Sequence, residues 1–205
     1  MHGAIHGLHG NRTRAFQGRA SRVYGVMARR LLRPAYRRFA EDIAAVAPDG
    51  GAVLDVGTGP GVLLVEIARL RPDLRLTGVD LSPDMVAAAE WNLRGFGQAS
   101  ARRGDVGDLP FPDDFFHLIV SSFSLHHWDD PRAAGPELAR VLRPGGSVYL
   151  YDFRSAPFQD LIAAAAGTSL SAGPPRRHTL IRVGVPLFPR VVRCILASGV
   201  TPPSV

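Results

Sequence analysis

The chain has 205 residues, 46% of them apolar and 20% charged. That length and balance suit one globular domain with a single large core and exclude a disordered chain. No apolar run nears the roughly 18 residues that a membrane helix needs; the best candidate is LIAAAAG at 161–167. The opening MHGAIHGLHG lacks the pattern of a secretory signal, although an acid-free, arginine-rich start also resembles an organelle transit peptide. One cysteine, Cys194, leaves no internal disulfide and fits a reducing compartment, so a cytoplasmic protein is expected. All 24 basic residues are arginine. Residues 1–40 hold nine arginines and no acid, 41–152 nine arginines against 17 acids, and 153–205 six against one. An acidic middle (net −8) therefore lies between basic flanks of +9 and +5.

In chain order, residues 1–20 are rich in Gly, His and Arg, show no periodicity and read as a disordered tail. His2, His6 and His9 would share a helical face, but Gly3, Gly7 and Gly10 make a helix costly there, so no metal is expected. Apolar positions at helical spacing predict helices over 21–33 and 35–47, separated at Pro34. A strand is predicted at 52–56 (AVLDV), a helix at 61–70, a strand at 74–80 and a helix over 82–96 with Ser82 as N-cap. Strands follow at 99–105 and 115–122, then a helix at 131–146 stopped by Pro144 and glycines, and a strand at 147–153. Beyond 153 the pattern predicts a helix near 157–166, an irregular AGPPRR and a helix near 188–198. Strands alternating with helices imply an α/β domain with a doubly wound, mostly parallel sheet. It divides into a helical lid at 21–50, a ligand-binding core at 51–153 and a substrate-side segment at 154–205.

In such a sheet, ligands sit at the carboxyl ends of the strands, where strand order reverses. The first strand runs into Asp55-Val56 and the loop GTGPG, three glycines in five positions. Glycine lets a turn take positive φ and lets backbone approach a ligand. Asp80 closes the second strand, 19 residues after Gly61, where a carboxylate can accept from both hydroxyls of a ribose. Dinucleotide enzymes share those two features. The loop spacing differs from GxGxxG, however, and Asp55 would repel a pyrophosphate. A ligand with a positive amino or sulfonium group suits Asp55 better, which argues for a cationic adenosine cofactor.

VLDVGTGPG (53–61) closely resembles the first motif of class I S-adenosylmethionine-dependent methyltransferases. GVDLSPDMVAAA (78–89), GDVGDLPFPDDFFHLIVSSFSLHHWDDP (104–131) and ELARVLRPGG (137–146) resemble the later motifs of the small-molecule branch that includes quinone-biosynthesis methylases. Four collinear matches cover about 21–153. The resemblance implies a Rossmann-like methyltransferase fold, S-adenosyl-L-methionine as cofactor and S-adenosyl-L-homocysteine as product. It implies that Asp55 faces the methionyl amino group, and that Gly57, Thr58, Gly59 and Gly61 line the cofactor. Asp80 would clamp the ribose hydroxyls, with Leu81 and Met85 near the adenine. Asp105 would accept from the adenine amine, the Val106 amide would meet a ring nitrogen, and Ser121 would lie beside the sulfonium. Tyr24 resembles a family aromatic near the methionine end.

The sequence departs from that pattern twice. His117 stands where the family usually has an acid, a change expected to affect packing. The family sheet also ends in an antiparallel sixth and seventh strand, whereas LASGVTPPSV resembles only the start of the sixth. The C-terminal strand pair is thus expected to be truncated, with Pro202 and Pro203 disfavouring a central strand. An open sheet edge, a homo-oligomer covering it, and weak or absent activity in a cofactor-binding partner protein are the corresponding alternatives. Methyl transfer depends chiefly on alignment, worth ~7–11 kcal/mol, against about 3–5 for a general base. His126 and His127, just after the fourth strand, are the candidate bases. The acceptor is expected to be a small molecule, anionic or membrane-associated, steered by Arg29, Arg30, Arg37 and Arg38. No nucleic acid is expected, because no aromatic platform is interleaved with these arginines.

Overall fold

A computed structural model of the chain describes residues 32–171, 176–181 and 191–199. β1 (Ala52–Val56), β2 (Arg75–Asp80), β3 (Ala99–Arg103), β4 (Phe116–Ser122) and β5 (Leu142–Phe153) are paired in parallel. β7 (Val191–Ala197) pairs antiparallel with β5, and β6 (Arg176–Ile181) antiparallel with β7. One sheet results, in the order β3-β2-β1-β4-β5-β7-β6. Its strand order reverses at β1, which has β2 on one side and β4 on the other.

Among the described residues five helices cover it: α1 (Arg33–Ala44), α2 (Val62–Leu70), α3 (Pro83–Leu93), α4 (Pro131–Val141) and α5 (Phe158–Ala165). β1 is buried at every position, as a strand covered on both faces must be. Val53 joins Tyr36, Phe39 and Ile43 of α1, Leu64 and Ile67 of α2 and Leu93 of α3 in one core. Ala52, Leu54 and Val56 point the other way, into a second core with Leu138 of α4 and Leu161 of α5. That alternation is the two-residue period of a strand. It leaves α1 to α3 on one face of the sheet and α4 and α5 on the other.

α1 begins at Arg33, and Pro34 lies in its first turn, where proline is tolerated because the missing N–H would have no helical partner. Phe39 stacks on Tyr151 of β5 at 4.1 Å between ring centres. Arg193 of β7 donates to Asp42 Oδ2 at 2.7 Å, so a charge pair also ties α1 to the antiparallel end of the sheet. The sequence-predicted first helix at 21–33, the tail and Tyr24 lie outside the described residues.

The strand expected to be missing is present. The helix predicted near 188–198 is instead β7, and part of the segment read as irregular is β6. VVRCILA alternates in burial, with Val192, Cys194 and Leu196 packing into the second core. Its short apolar run fits both periods, and register against β5 from Ser147–Ala197 to Phe153–Val191 decides for the strand. The antiparallel pair is therefore complete before LASGVTPPSV begins to run out. The expectation of an edge opened by truncation of the strand pair is thereby corrected. A smaller correction concerns 131–146: the helix ends at Val141, and Leu142 already pairs with Phe116.

His117 has the packing role expected of it. Its Nδ1 accepts from the Ala52 amide at 3.0 Å, and Arg143 reaches its Nε2 at 3.1 Å, tying the starts of β1 and β4 to the start of β5. Burial, then the charges of Arg143 and Arg75, hold this imidazole below its ordinary pKa.

Candidate active site

The loop after β1 is built so that backbone, and not side chain, faces the carboxyl end of the sheet. Gly57, Gly59 and Gly61 have φ of 69°, 53° and 73°. At Gly57 the requirement is double, because a β-carbon would also overlap the Ser124 hydroxyl of the turn following β4. A β-carbon at Gly59 would meet nothing within 4 Å, so this backbone borders open space. Gly61 is the N-cap of α2, and the Gly57 and Thr58 amides both donate to Val79 O, pinning the loop to β2.

Two carboxylates flank the loop. Asp55 is fully buried, and its Oδ2 accepts from Thr58 Oγ1 at 2.8 Å. Its Oδ1 is buried without a hydrogen-bond partner among the described residues. Burial pushes this carboxyl up to about 7, with the charge of Asp80 adding to the shift and the Thr58 hydrogen bond opposing it. An unpartnered acceptor at that depth is costly unless a ligand satisfies it. Asp80, at the end of β2, accepts from Gly59 N and Ser82 N, each at 2.9 Å, one on each oxygen. Both amides fix the carboxylate's plane; burial, the larger effect, raises its pKa.

The remaining expected residues are arranged around the same end of the sheet. Ser121, near the end of β4, is buried with its hydroxyl unpartnered among the described residues. Met85 is buried in the first turns of α3, whereas Leu81 is exposed. Asp105 closes a turn by accepting from Gly107 N at 2.9 Å, and Val106 packs against the second core. Of the four arginines expected to steer an acceptor, Arg29 and Arg30 lie outside the described residues. Arg37 is engaged with Glu66, and Arg38 with Glu41 and Asp42. A cleft of about 250 Å³ lined by Arg75, Gln98 and Phe115 lies at the strands' opposite, amino-terminal ends and includes none of these groups.

Between β4 and α4 the chain turns sharply. Phe123 has φ 51°, an uncommon conformation for a bulky residue that stores strain, and its amide donates to Tyr151 O at 2.7 Å. The turn leads into a short 3-10 segment, Leu125–His127. His126 Nδ1 lies 2.8 Å from Asp152 Oδ1, at the end of β5. His127 packs against His126 with ring centres 3.9 Å apart and the rings tilted by 43°; burial, then His126, lower its pKa while Asp152 opposes them. Asp152 was missed from the sequence, where it reads as one polar residue closing an apolar strand. The signal that could have found it is its place at the carboxyl end of a strand beside the histidine-bearing one.

Residues 53–146 match the model of a methyltransferase domain. In sequence, this core is similar to methyltransferase domains. A ubiquinone/menaquinone biosynthesis C-methyltransferase of Geotalea daltonii is 35% identical over 127 residues, 60% of this chain and 54% of that protein. A nocamycin O-methyltransferase of Saccharothrix syringae is 36% identical over 135 residues, 64% of this chain and 48% of that one. The chain spans about half the length of the curated relatives it matches. Among solved structures, a candidate S-adenosyl-L-methionine-dependent methyltransferase of Methanococcus maripaludis superposes with a TM-score of 0.72 at 20% identity, over 97% of this chain and 100% of that one. Geranyl diphosphate C-methyltransferase of Streptomyces coelicolor, solved with S-adenosyl-L-homocysteine, gives 0.63 at 16% identity over 82% and 79%. These two show the shared fold.

The residues around this loop fit S-adenosylmethionine. The orphaned Asp55 Oδ1 is an acceptor suited to an ammonium group, and a pyrophosphate has no donor to offer it. The open space along Gly59 lets a ligand lie against backbone. Each Asp80 oxygen keeps a lone pair for a hydroxyl after accepting its amide.

Proposed function

We propose that this chain transfers a methyl group from S-adenosylmethionine to a small organic acceptor. The observation that carries this reading is Asp55: a fully buried carboxylate with one oxygen left for a ligand's donor, at the switch point of a methyltransferase sheet. When bound, the cofactor supplies an electrophilic methyl group on a positively charged sulfur. The chain's own part is to bind and align. Asp55 would hold the amino group, Asp80 the ribose hydroxyls, and Asp105 and the Val106 amide the adenine, with Leu81 and Met85 beside it. Ser121 would stand nearest the reacting centre.

Two of the relatives bear names for methylation at carbon and at oxygen, and sequence likeness over half their length does not choose between those outcomes here. The proposed place of work is the cytoplasm: none of the described helices is long and apolar enough to cross a membrane, and Cys194 is a buried free thiol. The test is transfer of isotopically labelled methyl from S-adenosylmethionine into a panel of hydroxyl, amine and acidic-carbon acceptors. Label in any acceptor, lost in Asp80→Ala, supports the reading. A protein that binds the cofactor but labels none of the panel would instead be a cofactor-binding partner.

A further inference from the structure

We infer that the cleft at the amino-terminal ends of the strands is a second ligand site, one that takes a phosphate monoester carried on a flat ring. It lies at the end of the sheet opposite the glycine loop, so the inference does not depend on what that loop binds. β3 and β4 are joined without a helix, and α4 and α5 pack over β1, β4 and β5 on their face of the sheet. β2 and β3 are left there to the connecting segment. Leu76 and Ala101 point into the core beneath α1 to α3, so Arg75 and Thr77 of β2 and Ser100 of β3 face the other way. With Gln98 and Phe115 they line the cleft of about 250 Å³. Phe115 stays 42% exposed, an apolar wall for a flat ring beside a row of polar side chains.

An excess of donors marks where the phosphate belongs. Ala52 N donates to His117 Nδ1 at 3.0 Å, so the neutral ring carries its hydrogen on Nε2. Arg143 Nη1 lies 3.1 Å from that Nε2, and a guanidinium has donors only. Two donors thus face each other with no acceptor between them. An oxyanion beside both accepts from each and removes the conflict. The pair stands at the edge of the cleft: Ala52 lines it, and Asp114, whose carbonyl accepts from Arg143 Nε at 2.8 Å, directly precedes Phe115.

Arg75 supplies a third cationic group. Burial, then the charges of Arg143 and Arg75, act on the His117 ring, which places both guanidinium groups within electrostatic reach of it. The carboxylates of the neighbouring segments are engaged elsewhere, Asp49 and Asp73 with Arg71, Asp113 and Glu137 with Arg140. Among the described residues neither Arg75 nor Arg143 has a carboxylate at ion-pair distance. Donors from β2, β4 and β5 match the three terminal oxygens of a phosphate monoester, whereas a carboxylate offers two. A ligand held this way bridges the starts of three strands and should raise Tm.

Phenyl phosphate is the probe, compared by calorimetry with inorganic phosphate and benzoate. It should bind at one site, more tightly than either, and should move the His117 ring resonances in nitrogen-15 NMR. Arg75→Gln and Arg143→Gln should each weaken it by about tenfold, the value of one charge-assisted hydrogen bond. Arg75 is exposed, so its variant keeps the test open even where loss of the Arg143 contact to Asp114 disturbs folding. Saturating S-adenosylhomocysteine should leave phenyl phosphate bound. No binding by folded protein, equal affinity in the wild type and both variants, or displacement by S-adenosylhomocysteine would overturn the proposal. So would benzoate or inorganic phosphate binding as tightly as phenyl phosphate.

Discussion

Replacing Asp55 with Asn should make the ligand-free protein more stable at neutral pH while weakening its hold on S-adenosylmethionine. In the unfolded chain the carboxyl ionises near its ordinary 3.8; in the folded protein it keeps its proton to about 7. Between those values the folded state binds more protons, so stability falls as pH rises through the window. The cost is complete above about pH 7 and absent below about pH 4. A shift of about three pH units corresponds to roughly 4 kcal/mol as an upper bound. Asn removes that cost and can still accept from Thr58, but it buries an amide without a partner, a penalty of about 1–3 kcal/mol. The net expectation is stabilisation by about 1–3 kcal/mol at pH 8 and destabilisation of similar size at pH 4. For a domain this size each kcal/mol moves Tm by about 2–4 °C. Thermal melts of both proteins at the two pH values would therefore show a difference that changes sign. Asp80, also shifted upward, is present in both proteins, so its own burial contributes equally to each, and only its charge coupling to Asp55 differs. A difference independent of pH would refute the reasoning.

The same carboxyl predicts that S-adenosylhomocysteine binding near pH 6.5 releases up to one proton, read from calorimetry in buffers of different ionisation enthalpy; Asp55→Asn should release none. Gly57→Ala should lower the urea midpoint, with about 1–2 kcal/mol from the left-handed backbone and more from the Ser124 overlap, and Ser124→Gly in the same chain should recover part of the loss. Phe39→Ala removes a fully buried ring stacked on Tyr151 and should cost ~3–5 kcal/mol in chemical denaturation. Glu66, nearly buried, gathers Arg33, Arg37 and Arg69. Glu66→Gln should lose about 1–2 kcal/mol, an effect that shrinks with added salt.

The core was legible in the sequence where local and long-range demands agree. β1, β4 and their flanking turns combine apolar runs with glycine or serine punctuation, and the glycine loop declares a backbone that approaches a ligand. Legibility failed where the deciding contact is distant. VVRCILA becomes a strand because β5 offers it an edge of matching register, and nothing within its seven residues chooses that period. Asp152 gains its meaning only from the parallel register that sets Ser122 beside Tyr151 and so brings the end of β5 to the turn carrying His126. The unpartnered oxygen of Asp55 is likewise a property of depth, visible only once both faces of the sheet are covered.

Calorimetric titration of the purified protein with S-adenosylmethionine, S-adenosylhomocysteine and NADH tests the central claim most directly. Saturable one-to-one binding of the first two, lost in Asp80→Ala, with no heat from NADH, is the predicted result. Binding of NADH in preference to both, or no binding of any of the three by folded protein, would contradict it.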